Sequence, residues 1–374
     1  MLVALYYFGF FAALGVFLPY FSLWLVGQGL TATEATRVLA MTPLMSLVAP
    51  PLFGLWADAR RARVWLLRGC SLMTFVAFSG FFVAHSRLAL YGTTIAFALF
   101  RSPLIPLSDA VALEHVRRHG GSYGRLRLWG SLGFLLAVWL GGILVDRVGQ
   151  TSIIVAASLG TALCAACAWA MPAPPVAHRP VVGAWLALLE SADWWIFFAA
   201  IVFGQLATAA YDSGFTLHLT ALGFSGRFVG VAWAVGVAAE IALMALSSRI
   251  IARIGAAQLL TLAFATAVVR WLLVSCVTSP TAILCLQPLH GVTFGLFWVA
   301  AVTLVRERGV AAPTAAQGLL AAALGLGALF GMHVTGALLD AGGGRLLYRC
   351  AAAAALAATS FAAWYARRTR RIVE

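Results

Sequence analysis

The sequence predicts an all-α membrane protein with 12 transmembrane helices in two six-helix bundles, related by a pseudo-two-fold axis along the membrane normal. Three observations predict it. Of 374 residues, 63% are hydrophobic and only 10% are charged, with mean hydropathy +0.96. Soluble domains run about 45–50% apolar and about 25% charged. This excludes a water-soluble enzyme, a disordered chain and a disulfide-stapled secreted module. Apolar stretches of about 20 residues, the length that crosses a bilayer, recur along the whole chain. The basic residues alternate in density from one connection to the next, as an even number of crossings requires.

The stretch 2–26 begins without a basic region or a convincing cleavage site, so it reads as a first span and not a signal peptide. The stretches 35–57 and 64–84 follow, parted by Arg60, Arg61 and Arg63. The fourth, 88–114, contains Arg101-Ser-Pro103-Leu-Ile-Pro106. Two prolines there remove two backbone donors and bend the helix, and an interrupted helix lining a cavity points to a binding site. Stretches 125–146 and 151–171 complete a first bundle, residues 1–171. A polar break rich in proline, with Pro172, Pro174, Pro175 and Pro180, reads as a cytoplasmic linker over 172–192. The second bundle, 193–374, holds the stretches 193–218, 227–249, 257–277, 281–305, 314–339 and 346–366.

All 25 basic residues are Arg, and the chain has neither Lys nor Asn. Seventeen Arg fall on one side of this layout, six on the other, and Arg101 and Arg270 inside spans. The positive-inside rule then places both termini and the linker in the cytoplasm. The net charge of +13 is thereby read as topology and lipid contact, with no nucleic acid as partner. A weak internal repeat agrees: Gly142-Ile-Leu-Val-Asp146 and Gly336-Ala-Leu-Leu-Asp340 close corresponding spans, 194 residues apart. Gly325, Gly327 and Gly331 read as close-packing positions between helices. Cys164-x-x-Cys167 sits in an apolar run without further ligands, and His115-x-x-x-His119 lies in a basic loop. Neither is read as a metal site, and no cofactor is expected.

Charge at membrane depth costs about 2.5–3.5 kcal/mol per group on insertion scales, so it should be paired or line a cavity. The candidates are Arg101, Asp109, Arg127, Asp212, Glu240, Arg270 and His290. At 1.5 Å per residue, Glu240 lies about 20 and about 14 Å from the two faces. Arg270 and His290 fall at similar depth, so these three are expected to meet near the midplane. Three acids against three Arg suit charge pairs.

At these residues a family becomes recognisable. Gly54-Leu-Trp-Ala-Asp58-Ala-Arg60-Arg61-Ala-Arg63 resembles the signature G-x-x-x-D-R-x-G-R-R of the major facilitator superfamily, with Arg61 at its inner Gly and Ala59 at its first Arg. Asp58 would cap or pair with a neighbouring helix and hold one of two rocking states, making Gly54, Asp58, Arg60 and Arg61 a conformational switch. Ser102-Pro-Leu-Ile-Pro-Leu-Ser-Asp109 and Tyr123-Gly-Arg125-Leu-Arg127-Leu-Trp-Gly-Ser-Leu-Gly-Phe134 resemble the phenylpropionate permease group, close to the oligosaccharide/proton symporters. Gly236-Val-Ala-Ala-Glu240, Val268-Val-Arg270-Trp271 and Gln287-Pro-Leu-His290 continue the resemblance.

Likeness to the lactose permeases implies roles. Asp109 and Arg127 fall on substrate-binding Glu and Arg, and Phe134 on a stacking Trp. Tyr211-Asp212 falls on a Tyr-Asp pair. Glu240, Arg270 and His290 fall on the residues joining substrate affinity to proton transfer. The proton-carrying Glu is Thr293 here, the span-ten Lys is Gln287, and a further Lys falls near Leu324. The proton carrier is left unassigned by these departures.

The expected function is a secondary transporter of the bacterial cytoplasmic (inner) membrane, acting as a monomer without enzyme activity. It would move a small organic solute by alternating access with proton symport, an aromatic or other small carboxylate being favoured over a sugar. An exporter or an uncoupled facilitator is the alternative. Asp109 and Arg127 would form one pole of the substrate site, with Phe134, Arg101 and Asp212 as further contacts. Glu240, Arg270 and His290 would form the other, Glu240 being the first choice for the proton because burial raises a carboxylate's pKa and a nearby Arg lowers it.

Overall fold

A computed structural model describes residues 1–60, 63–120, 122–171, 192–308 and 313–370. Eleven of its helices are long and apolar enough to cross a membrane. The last of these stretches, Ala316–Thr369, has 54 residues, about 80 Å of helix at 1.5 Å per residue against about 30 Å of hydrocarbon. Its backbone breaks at Gly342 (φ −154°, ψ 17°) and Gly343 (φ 62°, ψ −165°). A positive φ is cheap only for glycine. The break divides the stretch into two lengths, each enough for a crossing, where the eleventh and twelfth spans are expected.

In chain order the helices are α1 (Leu2–Gly27), α2 (Ala32–Leu39), α3 (Met41–Arg60), α4 (Arg63–Ser79), α5 (Arg87–Arg101), α6 (Leu104–His119), α7 (Tyr123–Val148) and α8 (Thr151–Ala170). Then follow α9 (Ala192–Ala221), α10 (Gly226–Ile254), α11 (Ala256–Val274), α12 (Pro280–Leu286), α13 (Phe297–Arg308) and α14 (Pro313–Arg370). Three expected spans are thus interrupted. The second splits into α2 and α3, and α2 starts on a capping box in which Thr31 Oγ1 accepts from Glu34 N at 3.1 Å and Glu34 Oε2 accepts from Thr31 N at 3.0 Å. The fourth breaks between Arg101 and Leu104, where Pro103 cannot donate to the helix. The tenth runs from α12 through a π-helical turn, Gly291–Leu296, into α13.

The chain divides into two compact units, one from Met1–Pro180 with Gly223–Val231 and one from Val181–Leu222 with Ala232–Glu374. In the first unit Tyr6, Tyr7 and Phe10 of α1 pack with Leu66, Leu67, Leu104 and the free thiol of Cys164. Within this unit too, Asp146 accepts hydrogen bonds from the backbone N–H groups of Gly226 (2.7 Å) and Arg227 (2.8 Å). That carboxylate satisfies two of the donors that every helix start leaves open. In the second unit Phe197, Leu259, Leu260, Phe264, Phe297, Leu320 and Tyr365 form the core. Large apolar side chains such as Leu88, Leu128, Leu159, Val269 and Phe330 remain exposed. In a bilayer such a surface meets lipid tails at no cost.

Small residues set the helix spacing. A Cβ at Gly133 of α7 would strike the Phe8 carbonyl of α1, and one at Gly15 of α1 would stand 2.6 Å from the Phe134 carbonyl. Gly327 and Gly331 of α14 face the Val202 and Leu206 carbonyls of α9 in the same way. Gly133→Val should therefore destabilise the purified protein by about 1–3 kcal/mol, the usual range for overpacking. Gly69→Ala, with open space around it, should leave the thermal midpoint unchanged or slightly raised. Thermal unfolding in detergent measures both.

Candidate functional site

Each unit gathers one cluster of the membrane-embedded polar residues. In the first, the helix resumed after Pro103 carries Asp109 on α6, and α7 brings Arg127 opposite. Arg127 Nη1 stands 3.6 Å from Asp109 Oδ1, with the two side chains 34% and 29% exposed. This is an ion pair without a hydrogen bond, and Arg127 Nη1 has no hydrogen-bond partner. The shorter contact comes from α1: the Tyr7 hydroxyl donates to Asp109 Oδ1 at 2.6 Å. The Arg127 guanidinium lies over the rings of Tyr7 (5.3 Å) and Phe11 (4.9 Å), an arrangement that replaces part of its hydration. Polar groups held loosely and partly open can exchange their partners for a ligand's oxygens.

The second cluster is denser. Arg270 of α11 is 1% exposed. Its Nη1 donates to Thr293 Oγ1 at 2.9 Å and meets His290 Nδ1 at 3.2 Å. Its Nη2 donates to Gln287 Oε1 at 3.3 Å, which also accepts from the Tyr211 hydroxyl at 3.3 Å. Tyr211 and Trp271 each place a ring 4.6 Å from the guanidinium. Glu240 of α10 reaches the far side of the imidazole, with Oε2 3.6 Å from His290 Nε2. The expected Glu240–Arg270 pair is therefore indirect: His290 stands between them, stacked on Tyr211 (4.9 Å) and Phe294 (5.3 Å). Asp212, beside Tyr211 on α9, interacts electrostatically with Arg270 and Glu240.

Local backbone explains how one span offers Gln287, His290 and Thr293 together. Pro288 lacks a donor, so the chain tightens: His290 N donates to Gln287 O and Gly291 N to Pro288 O. The π-helical turn that follows is a widening often found at functional sites. Glycine then permits the approach of α10. A Cβ at Gly291 would lie 2.7 Å from the Ala239 carbonyl, and one at Gly295 3.1 Å from Glu240 Cγ.

Other expected residues are placed differently. Phe134 lies two turns beyond Arg127 on α7, and its backbone closes against Gly15. Arg101 ends α5 and lays its guanidinium on Phe97, 5.5 Å from the ring centre. Of the signature residues, Gly54, Asp58 and Arg60 fall in the last turns of α3, but their side chains, and Arg61 entirely, lie outside the described residues. Sequence reading missed Tyr7 and Phe11. The signal was present in Tyr6-Tyr7 on a mostly apolar span, since a buried phenol needs a partner.

A family model for the MFS_1-like family matches residues 1–350. The chain belongs to the major facilitator superfamily. As a major facilitator it is a multi-pass membrane transporter and not an enzyme. It is 33% identical, over 82% of its own length and 82% of the relative's, to the "Probable 3-phenylpropionic acid transporter" of Escherichia coli (strain K12). It is 32% identical to the maltose permease of Geobacillus stearothermophilus, over 72% of this chain and 69% of that one. Among solved structures, the nucleoside transporter NupG matches 97% of this chain and 98% of its own with a TM-score of 0.83 at 16% identity. That likeness carries the major facilitator fold.

Thr293→Val should strand one Arg270 N–H in a dry site, at about 1–3 kcal/mol, whereas Thr293→Ser should keep the bond and the stability. Thermal midpoints of the two variants decide it. Tyr7→Phe should free Asp109 from its shortest contact and weaken substrate binding several-fold without unfolding the protein, as read by titration of the purified variant.

Proposed function

We propose that this transporter imports a small organic solute across the bacterial inner membrane by proton symport, through alternating access, as a monomer with both termini cytoplasmic. Asp109 and Arg127, with Tyr7, serve as substrate-contacting groups of the first unit. Arg270 and His290, with Asp212 nearby, serve that role in the second.

The observation that carries the reading is the series Glu240–His290–Arg270. Arg270 is enclosed, with His290, Thr293 and Gln287 on its two terminal nitrogens, while the Glu240 side chain keeps 18% of its surface open. A carboxylate at the open end of such a series can take a proton from water. The imidazole then loses its acidic neighbour and turns toward other partners. A change in protonation is thereby converted into a change in what Arg270 and His290 offer a solute. The relatives named for 3-phenylpropionic acid and maltose support a small organic solute as cargo.

Glu240→Gln keeps the shape of the side chain and removes its titration. In proteoliposomes it should abolish accumulation driven by a pH gradient while counter-exchange of substrate across the membrane continues. Accumulation at the wild-type level in this variant would overturn Glu240 as the coupling group.

A further inference from the structure

The embedded charges divide unequally between the units. The first holds Arg101, Asp109 and Arg127; the second holds Asp212, Glu240 and Arg270, with His290. Asp109 is engaged by Arg127, which leaves Arg101 over. Among the described residues Arg101 makes no hydrogen bond or ion pair, and its Nε is buried without a partner. Its guanidinium rests on Phe97. It lies 14 residues from Arg87 and 17 from Arg118, about 21 and about 25 Å along the helices, too deep for the side chain to snorkel to either face. An unpaired cation at that depth is costly and calls for an anion. The residue as a whole is half-buried. It also borders a small apolar cavity within the first unit, lined by Phe10, Phe17, Phe78 and Phe97.

We infer that Arg101 is the carboxylate-recognising residue of this transporter, and that its cargo is a small monocarboxylate with an apolar, ring-bearing body. The carboxylate takes the fork of the Arg101 guanidinium, and the body takes the phenyl-lined surface beside it. The charge count extends the inference. The first unit is one positive charge in excess and the second one negative. One monovalent anion neutralises the first, and one proton on the second neutralises the other. Transport of the pair then moves no net charge. This deepens the symport reading and rests on it for the proton, but the role of Arg101 stands apart.

The test uses the full chain in detergent and in proteoliposomes, with 3-phenylpropionate, its uncharged amide, maltose and uridine as probes. In thermal-shift measurements 3-phenylpropionate should stabilise the wild type and the amide should not, a comparison that needs no variant. Arg101→Gln should weaken binding of the acid at least tenfold, and Arg101→Lys should recover part of it. Uptake of labelled 3-phenylpropionate should follow an imposed pH gradient and ignore a potassium diffusion potential. Equal effects of acid and amide, no response to the acid, or unchanged binding by Arg101→Gln would each overturn the assignment. Uptake driven by the potential would overturn the charge count. Uphill movement of maltose or uridine by a pH gradient, with no response to the acid, would preserve symport and sink the carboxylate. Binding of the acid through Arg101 without any response to pH gradients would do the reverse.

Discussion

Arg270 is a permanent charge with 1% of its surface open, inside a bundle that the bilayer keeps dry. A charge so enclosed needs acceptors and ring faces from the second unit itself. Gln287, His290 and Thr293 meet that need from one span, and Tyr211 and Trp271 enclose the plane of the guanidinium. The proline-tightened turn, the π-helical widening and the two glycines facing α10 follow from that demand, because a regular helix would not present positions 287, 290 and 293 to one point. Glu240 takes its position from this arrangement at second hand, through the imidazole.

The first unit meets the same constraint more loosely. Asp109 and Arg127 stand at ion-pair distance with a phenol closer to the acid than the guanidinium is. A half-buried pair of this kind does little for stability, since desolvation and screening offset the attraction. Its looseness is better understood as readiness to accept other partners. The contrast between a closely bonded cluster and a loosely paired one is the main asymmetry between the two units.

Much of the fold was legible in the sequence because the bilayer imposes a length and a sign on it. Apolar stretches and Arg alternation located the spans, and Pro103 and Pro106 located the break in the fourth. The division of the second span into α2 and α3 was not legible, since Ala40 carries no breaker chemistry. The candidate residues were found because each is a charge in hydrocarbon. Their connections were not, because side-chain order depends on rotamers and helix rotation. His290 was expected beside Glu240 and Arg270, but its place between them depends on the tightened turn around Pro288 and on its rotamer, which periodicity does not announce. Tyr7 escaped because an aromatic residue in an apolar span resembles packing until its hydroxyl is given a partner. Gln287 and Thr293 counted as departures from a pattern, yet both are oxygen acceptors for Arg270, a task the Lys and Glu of that pattern would divide differently.

The complete absence of Lys has a further meaning inside the membrane. An ammonium can shed its proton when desolvated, whereas a guanidinium cannot do so at any physiological pH. Arg101, Arg127 and Arg270 are therefore fixed points in the electrostatic landscape of the transport cycle. Any proton that travels through the interior has carboxylates, imidazoles and hydroxyls to step on. The search for the carrier narrows accordingly to the acids and to His218, His290 and His333, and the cations become the rails along which their charge states are read.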